Sequence, residues 1–315
     1  AYQLAIDSVS SKCSPSYTLQ TGLLGTLKNA AGGEGLKLPA SLFEVSLSLP
    51  ALLHGYAVAY ADHGGPNAEW IAGRQSGQSV LDGVRATLNY RHYRPGDSIT
   101  SQSKVALSGY SGGGGATDWA VELADSYAPD LRGNLVGAAI GASSNADIKA
   151  MYNKHNGKLT VGLLVLAITG LNRAYPESGI YDYLNAAGKS MIDGADDQCT
   201  VDGAIQYGLR KLVHGLKLEN YTQRPDVPVP DSEPGKKIFA WNSIVNQAKH
   251  ELPRIPVLNY HDQWDGLVPV GAGNDTARKL CREGSPVEVV RIATPLPNGL
   301  LPLPPFFQDL DSAIG

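Results

Sequence analysis

Short apolar runs alternate with amphipathic ones along most of this 315-residue chain. The run "GYAVAYAD" (55–62) reads as a buried strand. After it comes "SGQSVLDGVRATLNYRHY" (76–93), in which Val80, Leu81, Val84 and Leu88 recur on one helical face. "KVALSGY" (104–110) is strand-like and leads directly into a helical pattern from Gly112 to about Asp125. "NLVGAAIGA" (134–142) and "IPVLNYH" (255–261) are two further strands, the second followed by a helix over 272–282. The β-branched "PVEVVRIA" (286–293) is a late strand. Strands alternating with helices predict a mostly parallel α/β sheet with helices on both faces, because each parallel connection must cross over the sheet.

The rhythm changes in the middle of the chain. Residues 143–251 carry a helical pattern with few strand signals and include the proline-rich "RPDVPVPDSEPGKK" (224–237). The expected organisation is a core formed by residues 1–142 and 252–315, interrupted by a helical lid or cap over 143–251. Its longest apolar run, "LTVGLLVLAITGL" (159–171), is too short to span a bilayer and predicts a buried helix or the wall of an apolar pocket. Beyond the last strand, "TPLPNGLLPLPPFF" (294–307) holds five prolines, which excludes a regular helix there.

Composition narrows the function classes. A hydrophobic content of 43% is enough for one large core. The net charge of −4, with Lys and Arg scattered, lacks the basic stripe of a nucleic-acid partner. Cys13, Cys199 and Cys281 have no metal-ligand spacing, so neither a metal nor another cofactor is expected. Three cysteines fit one disulfide with one free thiol, or a partner lost with a missing segment. The chain opens at Ala1 with no signal peptide, as expected after removal of a leader or from a truncated form. Two glycosylation tripeptides, at Asn220 and Asn274, point toward secretion, although such triplets also arise by chance.

The candidate chemistry lies at Gly109-Tyr110-Ser111-Gly112-Gly113, which fits G-x-S-x-G between a strand and a helix. In that context a serine stands on a tight turn above the sheet edge, at the positive end of the following helix. The Gly112 N–H is then placed to hold an oxyanion. The alternative is a glycine-rich turn without chemistry. A dinucleotide loop is excluded, because the glycines do not follow G-x-G-x-x-G. An acid should follow a late strand, and "VLNYHDQWDGLVP" offers Asp262 and Asp265; Asp265, on the turn into the next helix, is the better candidate. A base should follow the next strand, but the seven histidines stand at 54, 63, 92, 155, 214, 250 and 261. Where the base belongs, the chain reads Pro295-Leu296-Pro297-Asn298-Gly299. An asparagine cannot take the serine proton at neutral pH.

With these pieces placed, the chain resembles the secretory lipase family of fungi and actinobacteria, within the α/β-hydrolase superfamily. The resemblance runs through "YQLAIDSVSSKCSPSYTL", "ADHGGPNAEWIAGRQSGQSVLDGVRATLNY", "VALSGYSGGGGATDWAVELADSYAPDL" and "VLNYHDQWDGLVP" followed by "CREG". It implies Ser111 as nucleophile, Asp265 as triad acid, and Asp7, at the end of the first strand, as oxyanion residue together with Gly112. It also implies a Cys13–Cys199 disulfide tying core to lid in an oxidising compartment, and a partner for Cys281 further along. Family members carry a long segment ahead of the strand with which this chain begins, so edge strands of the sheet are expected to be missing. Their histidine falls at about Pro297 or Asn298. Its absence leaves three expectations: residues omitted near 295–297, loss of the base, or a substitute base, for which His63 in "ADHGG" is the candidate, with a structural loop histidine as the other reading of that residue. The implied function is a secreted lipase or esterase that cleaves lipophilic carboxylic esters through an acyl-enzyme on Ser111, at a lipid interface, with acyl transfer as a variant. The alternative is a catalytically impaired relative that binds a hydrophobic ligand.

Overall fold

The computed structural model describes residues 1–33, 37, 44–90, 99–214, 216–248 and 255–293. Five strands form a single sheet: β1 (Tyr2–Gln3), β2 (Val105–Tyr110), β3 (Leu135–Gly141), β4 (Val257–Asp262) and β5 (Val287–Ile292). They lie side by side in chain order, and every neighbouring pair is parallel. This topology demands a crossover between consecutive strands, and the amphipathic segments supply them.

The helices that position the site are α1 (Pro15–Ala31, kinked at Gly22), α2 (Gly73–Asn89), α3 (Ser111–Tyr127), α4 (Ile148–His155) and α5 (Val161–Ala174). They are joined by α6 (Ala186–Asp193), α7 (Thr200–His214), α8 (Glu233–Asn242) and α9 (Val270–Arg282). Helix α3 carries the chain from β2 to β3, and α9 carries it from β4 to β5. Val80, Leu81, Val84 and Leu88 of α2 pack with Trp119 and Ala120 of α3 and with Leu107, Ile140 and Val257 of the strands. The helical face expected from their spacing is thus the buried one. Between β3 and β4 the described residues form helices and turns, with Leu184↔Thr222 as an isolated bridge. They centre on α5, whose Val161, Val165, Leu166 and Leu171 are almost wholly inaccessible. Burying each such side chain favours folding by roughly 1.5–3 kcal/mol, so the run 159–171 forms a core helix from Val161 onward, with Leu159 exposed in the turn before it. None of the described helices is long and apolar enough to cross a membrane.

Two expectations need correction. The run 55–62 is not a strand: its one ladder-like contact among the described residues is the Tyr2 N–H donating to the Ala59 carbonyl at 2.9 Å, and Ala57 is exposed. With only the two-residue β1 beside it, an extended segment there gains too few hydrogen bonds to register as a strand. Asp7 does not end the first strand either, because pairing stops at Gln3 and Asp7 lies in the loop beyond. Helix α2 starts three residues before the expected Ser76 and ends at Asn89, short of the expected Tyr93, whereas α3 extends the expected 112–125 at both ends. The expectations for 294–307 lie outside the described residues.

Candidate active site

β2 ends at Tyr110, and Ser111 opens α3 with φ of +54°. A left-handed backbone at a non-glycine residue costs on the order of 1–2 kcal/mol. The surroundings enforce it, since the turn is squeezed between β1 and β3. A Cβ on Gly113 would lie 1.9 Å from the Gln3 carbonyl oxygen, and one on Gly112 would lie 1.7 Å from Asp7 Oδ1. The glycines of the motif therefore let strand, helix and the Asp7 loop approach each other closely. Ser111 retains 6% exposure beneath this packing, at the N-terminus of a 17-residue helix whose unpaired N–H groups favour negative charge.

Asp7 also has a left-handed backbone, with φ of +42°. Burial raises its carboxyl to about 6, against the opposing pull of the Trp70 indole and its own amide. Among the described residues no hydrogen-bond partner meets its Oδ1. Beside it, Glu44 accepts from the Ala5 N–H and from the Tyr2 hydroxyl at 3.3 Å. Burial, reinforced by the nearby Asp7 charge, lifts Glu44 to about 8.

Asp265 sits on the turn after β4, and both of its oxygens are engaged. Oδ1 accepts from the N–H groups of Leu267 (2.7 Å) and Val268 (2.8 Å), shaping the turn into α9. Oδ2 accepts from the Tyr110 hydroxyl at 3.3 Å and faces His261 Nε2 at 3.2 Å. Tyr110 immediately precedes Ser111, so the acid-bearing turn is bonded directly to the elbow. Lys154, from α4, donates to the Asp265 carbonyl at 2.9 Å. Asp262, the other acid considered, accepts from the Trp264 N–H at 2.8 Å and so serves its own turn.

The histidines are distributed differently from what a triad requires. His63 is buried, with Nε2 2.8 Å from the Leu4 carbonyl. Because a carbonyl only accepts, Nε2 carries the proton and is not free to take one, and burial lowers the ring pKa. This geometry makes His63 a brace for the loop after β1. His261 likewise donates from Nε2 to a carboxylate, and its Nδ1 has no partner among the described residues and faces the α9 backbone at Gly273. Sequence reasoning passed over His261; its signal was a histidine four residues before the acid, at the end of a strand. His155 is buried, with Nδ1 2.6 Å from Thr160 Oγ1, and burial drives its pKa down to about 4. Among the described residues no hydrogen bond joins a histidine to Ser111. The place of the expected base, 297–298, lies outside them.

Three further features complete the site. Cys13 and Cys199 form a disulfide between the loop after β1 and the start of α7, and Cys281 is free and exposed. An apolar pocket is lined by Trp70, Ile71, Met151, Tyr152, Leu164 and Ile168, among others. Met151 also packs in one cluster with Tyr110 and Val268, so the pocket wall continues to the elbow and the acid turn. Among the described residues no three His, Cys, Asp or Glu side chains are grouped as a metal ion would require.

Comparison with known proteins agrees with this geometry. Lipase 2 of Candida albicans is 32% identical over 303 residues, covering 96% of this chain and 61% of that protein. A Mycobacterium tuberculosis protein described as a probable inactive lipase is 32% identical over 259 residues, covering 80% of this chain and 54% of its own. The structure of Candida antarctica lipase A in its closed state superposes with a TM-score of 0.74 at 29% identity, covering 94% of this chain and 64% of that one. The chain thus spans less than two thirds of the length of these relatives. A family model described as secretory lipase matches residues 38–297. With most of its length matched by that model and its elbow built as an α/β-hydrolase requires, the chain belongs to the secretory lipase family.

Proposed function

We propose that this chain is a carboxylic-ester hydrolase of lipase or esterase type that works through an acyl-enzyme on Ser111. The observation that carries this reading is the left-handed Ser111 at the junction of β2 and α3. Ser111 Oγ attacks the ester carbonyl, and the developing oxyanion is held by the N–H groups of Gly112 and Asp7. The alcohol leaves with a proton, and water then resolves the acyl-enzyme; an alcohol in place of water gives acyl transfer. Asp265 is the acid that would orient the base. The substrates are lipophilic esters such as acylglycerols, met at a lipid surface. Residues 143–251 act as the lid, and α5 supplies part of the wall for the acyl chain. The site of action is extracellular, in keeping with the buried disulfide. Of the two sequons, Asn220 is exposed and suits a glycan. Asn274 is half-buried in α9, with Oδ1 accepting from Arg291 Nε at 2.9 Å.

A second reading is a lipase-like protein that binds a hydrophobic ligand without turning it over. It is favoured by the bonds that fill both Asp265 oxygens from within the chain, and by the tuberculosis relative described as probably inactive. Turnover of p-nitrophenyl butyrate and octanoate separates the two. The first reading expects hydrolysis that Ser111→Ala abolishes. Folded protein that retains a fluorescent fatty acid but hydrolyses neither ester sinks it.

A further inference from the structure

The loop that carries Asp7 is clamped from one side by the short stretch 197–200. The Val9 N–H donates to the Gln198 carbonyl at 3.0 Å, the Ser10 hydroxyl donates to the Asp197 carboxylate, and Cys13 is bonded to Cys199. Next to that disulfide, Thr200 Oγ1 lies 2.9 Å from the Ile6 carbonyl oxygen and 2.8 Å from that of Asp7. A hydroxyl has one proton, so the two carbonyls share it in a three-centre bond. The Ile6 carbonyl and the Asp7 N–H belong to the same peptide unit, which is planar and trans, so they point in opposite directions. Holding the oxygen toward Thr200 therefore turns the N–H away from it. The Asp7 carboxyl stands against Gly112, the other oxyanion donor.

We propose that Thr200 is a positioning residue for the oxyanion site: its hydroxyl fixes the Ile6–Asp7 peptide plane so that the Asp7 N–H faces the reacting carbonyl. This rests on the assignment of Asp7 as an oxyanion donor. The clamp has a reason to exist, because a left-handed φ at Asp7 is a conformation the loop does not hold unaided. A peptide flip there would replace a donor with a carbonyl oxygen and repel the intermediate it should stabilise. Cys199 anchors the neighbouring position covalently, which holds the Thr200 hydroxyl at the loop. In this way the first turn of α7, part of the segment between β3 and β4, sets a donor that belongs to the core.

The test uses the full chain with Thr200→Val, which removes the proton at nearly constant shape, and Thr200→Ser, which restores it. Thr200→Ala repeats the loss with no risk of overpacking. For p-nitrophenyl butyrate, Thr200→Val is expected to lower kcat by about tenfold to a hundredfold with KM changed less than about twofold, and Thr200→Ser to recover most of it. In the 15N-labelled protein the Asp7 amide resonance is expected to move in Thr200→Val and Thr200→Ala but to stay in place in Thr200→Ser. An unmoved Asp7 amide in the Val and Ala variants, or a kcat loss that Thr200→Ser shares in full, overturns the proposal. Absence of Ser111-dependent turnover in the unmodified chain would instead overturn the catalytic reading, and the amide measurement would still decide the role of Thr200.

Discussion

Ser111 and Asp7 are two non-glycine residues held left-handed at facing loops, and the glycine at 113 lets β1 come close enough to hold them. Gly113→Ala would set a Cβ 1.9 Å from a backbone oxygen that has no room to move. We expect it to destabilise the fold by about 3 kcal/mol in urea unfolding and to lower any esterase activity. Glu44 supplies a pH signature. Its carboxyl lies at about 8 in the folded protein against an ordinary 4.5, so the folded state binds that proton more tightly than the unfolded one. Stability from this group is complete below about pH 4.5 and is lost as the pH rises toward 8. Urea midpoints measured across that range should fall with pH in the unmodified chain and fall much less in Glu44→Gln; equal slopes would refute the assignment. At this scale the elbow was legible, because G-x-S-x-G between a strand and a helix has a steric reason to exist. The bonds of Tyr110 and His261 to Asp265 were not, because they join residues that only the folded β2 and β4 bring together. The contact of His63 was not legible for a similar reason: the Leu4 carbonyl it faces lies 59 residues earlier.

Elements whose burial depends on neighbours inside the described chain were read correctly from periodicity. α2 faces α3 with the side chains expected from its spacing, and β2 to β5 stand within a few residues of their apolar runs. The run 55–62 was misread because apolar composition signals a strand only if partners flank it, and its inner neighbour pairs over two residues. Helix α5 carries the clearest element-scale prediction. Leu166 is fully buried against α7, where a Cβ added at Gly203 would already lie 2.8 Å from it. Leu166→Ala should cost about 2–5 kcal/mol, measured by denaturant unfolding, with no change in the sheet's secondary-structure signal. A cost under about 0.5 kcal/mol would mean that α5 is not packed as described.

At the scale of the molecule, the disulfide links positions 186 residues apart and joins the β1 loop to the helices between β3 and β4. Closing so long a loop disfavours the unfolded chain, by about 2–5 kcal/mol in most proteins. Cys13→Ser with Cys199→Ser should lower the melting midpoint accordingly; an unchanged midpoint would show that the hydrogen bonds around Val9, Ser10 and Thr200 suffice alone. The same region connects to the proposed chemistry, since Asp7 sits inside the clamp. The family and the parallel sheet were legible in the order of the sequence blocks, whereas the packing of Met151 against both the apolar pocket and Tyr110 exists only in three dimensions. The identity of the base is the one functional part that neither the pattern of residues nor the described histidines supply. The proposed function rests on Ser111 being a nucleophile. Incubation with a fluorophosphonate probe, followed by peptide mapping, tests that most directly. The account expects a phosphonyl adduct on Ser111 that is absent from folded Ser111→Ala, and folded protein that stays unlabelled, or an adduct elsewhere that survives the substitution, would contradict it.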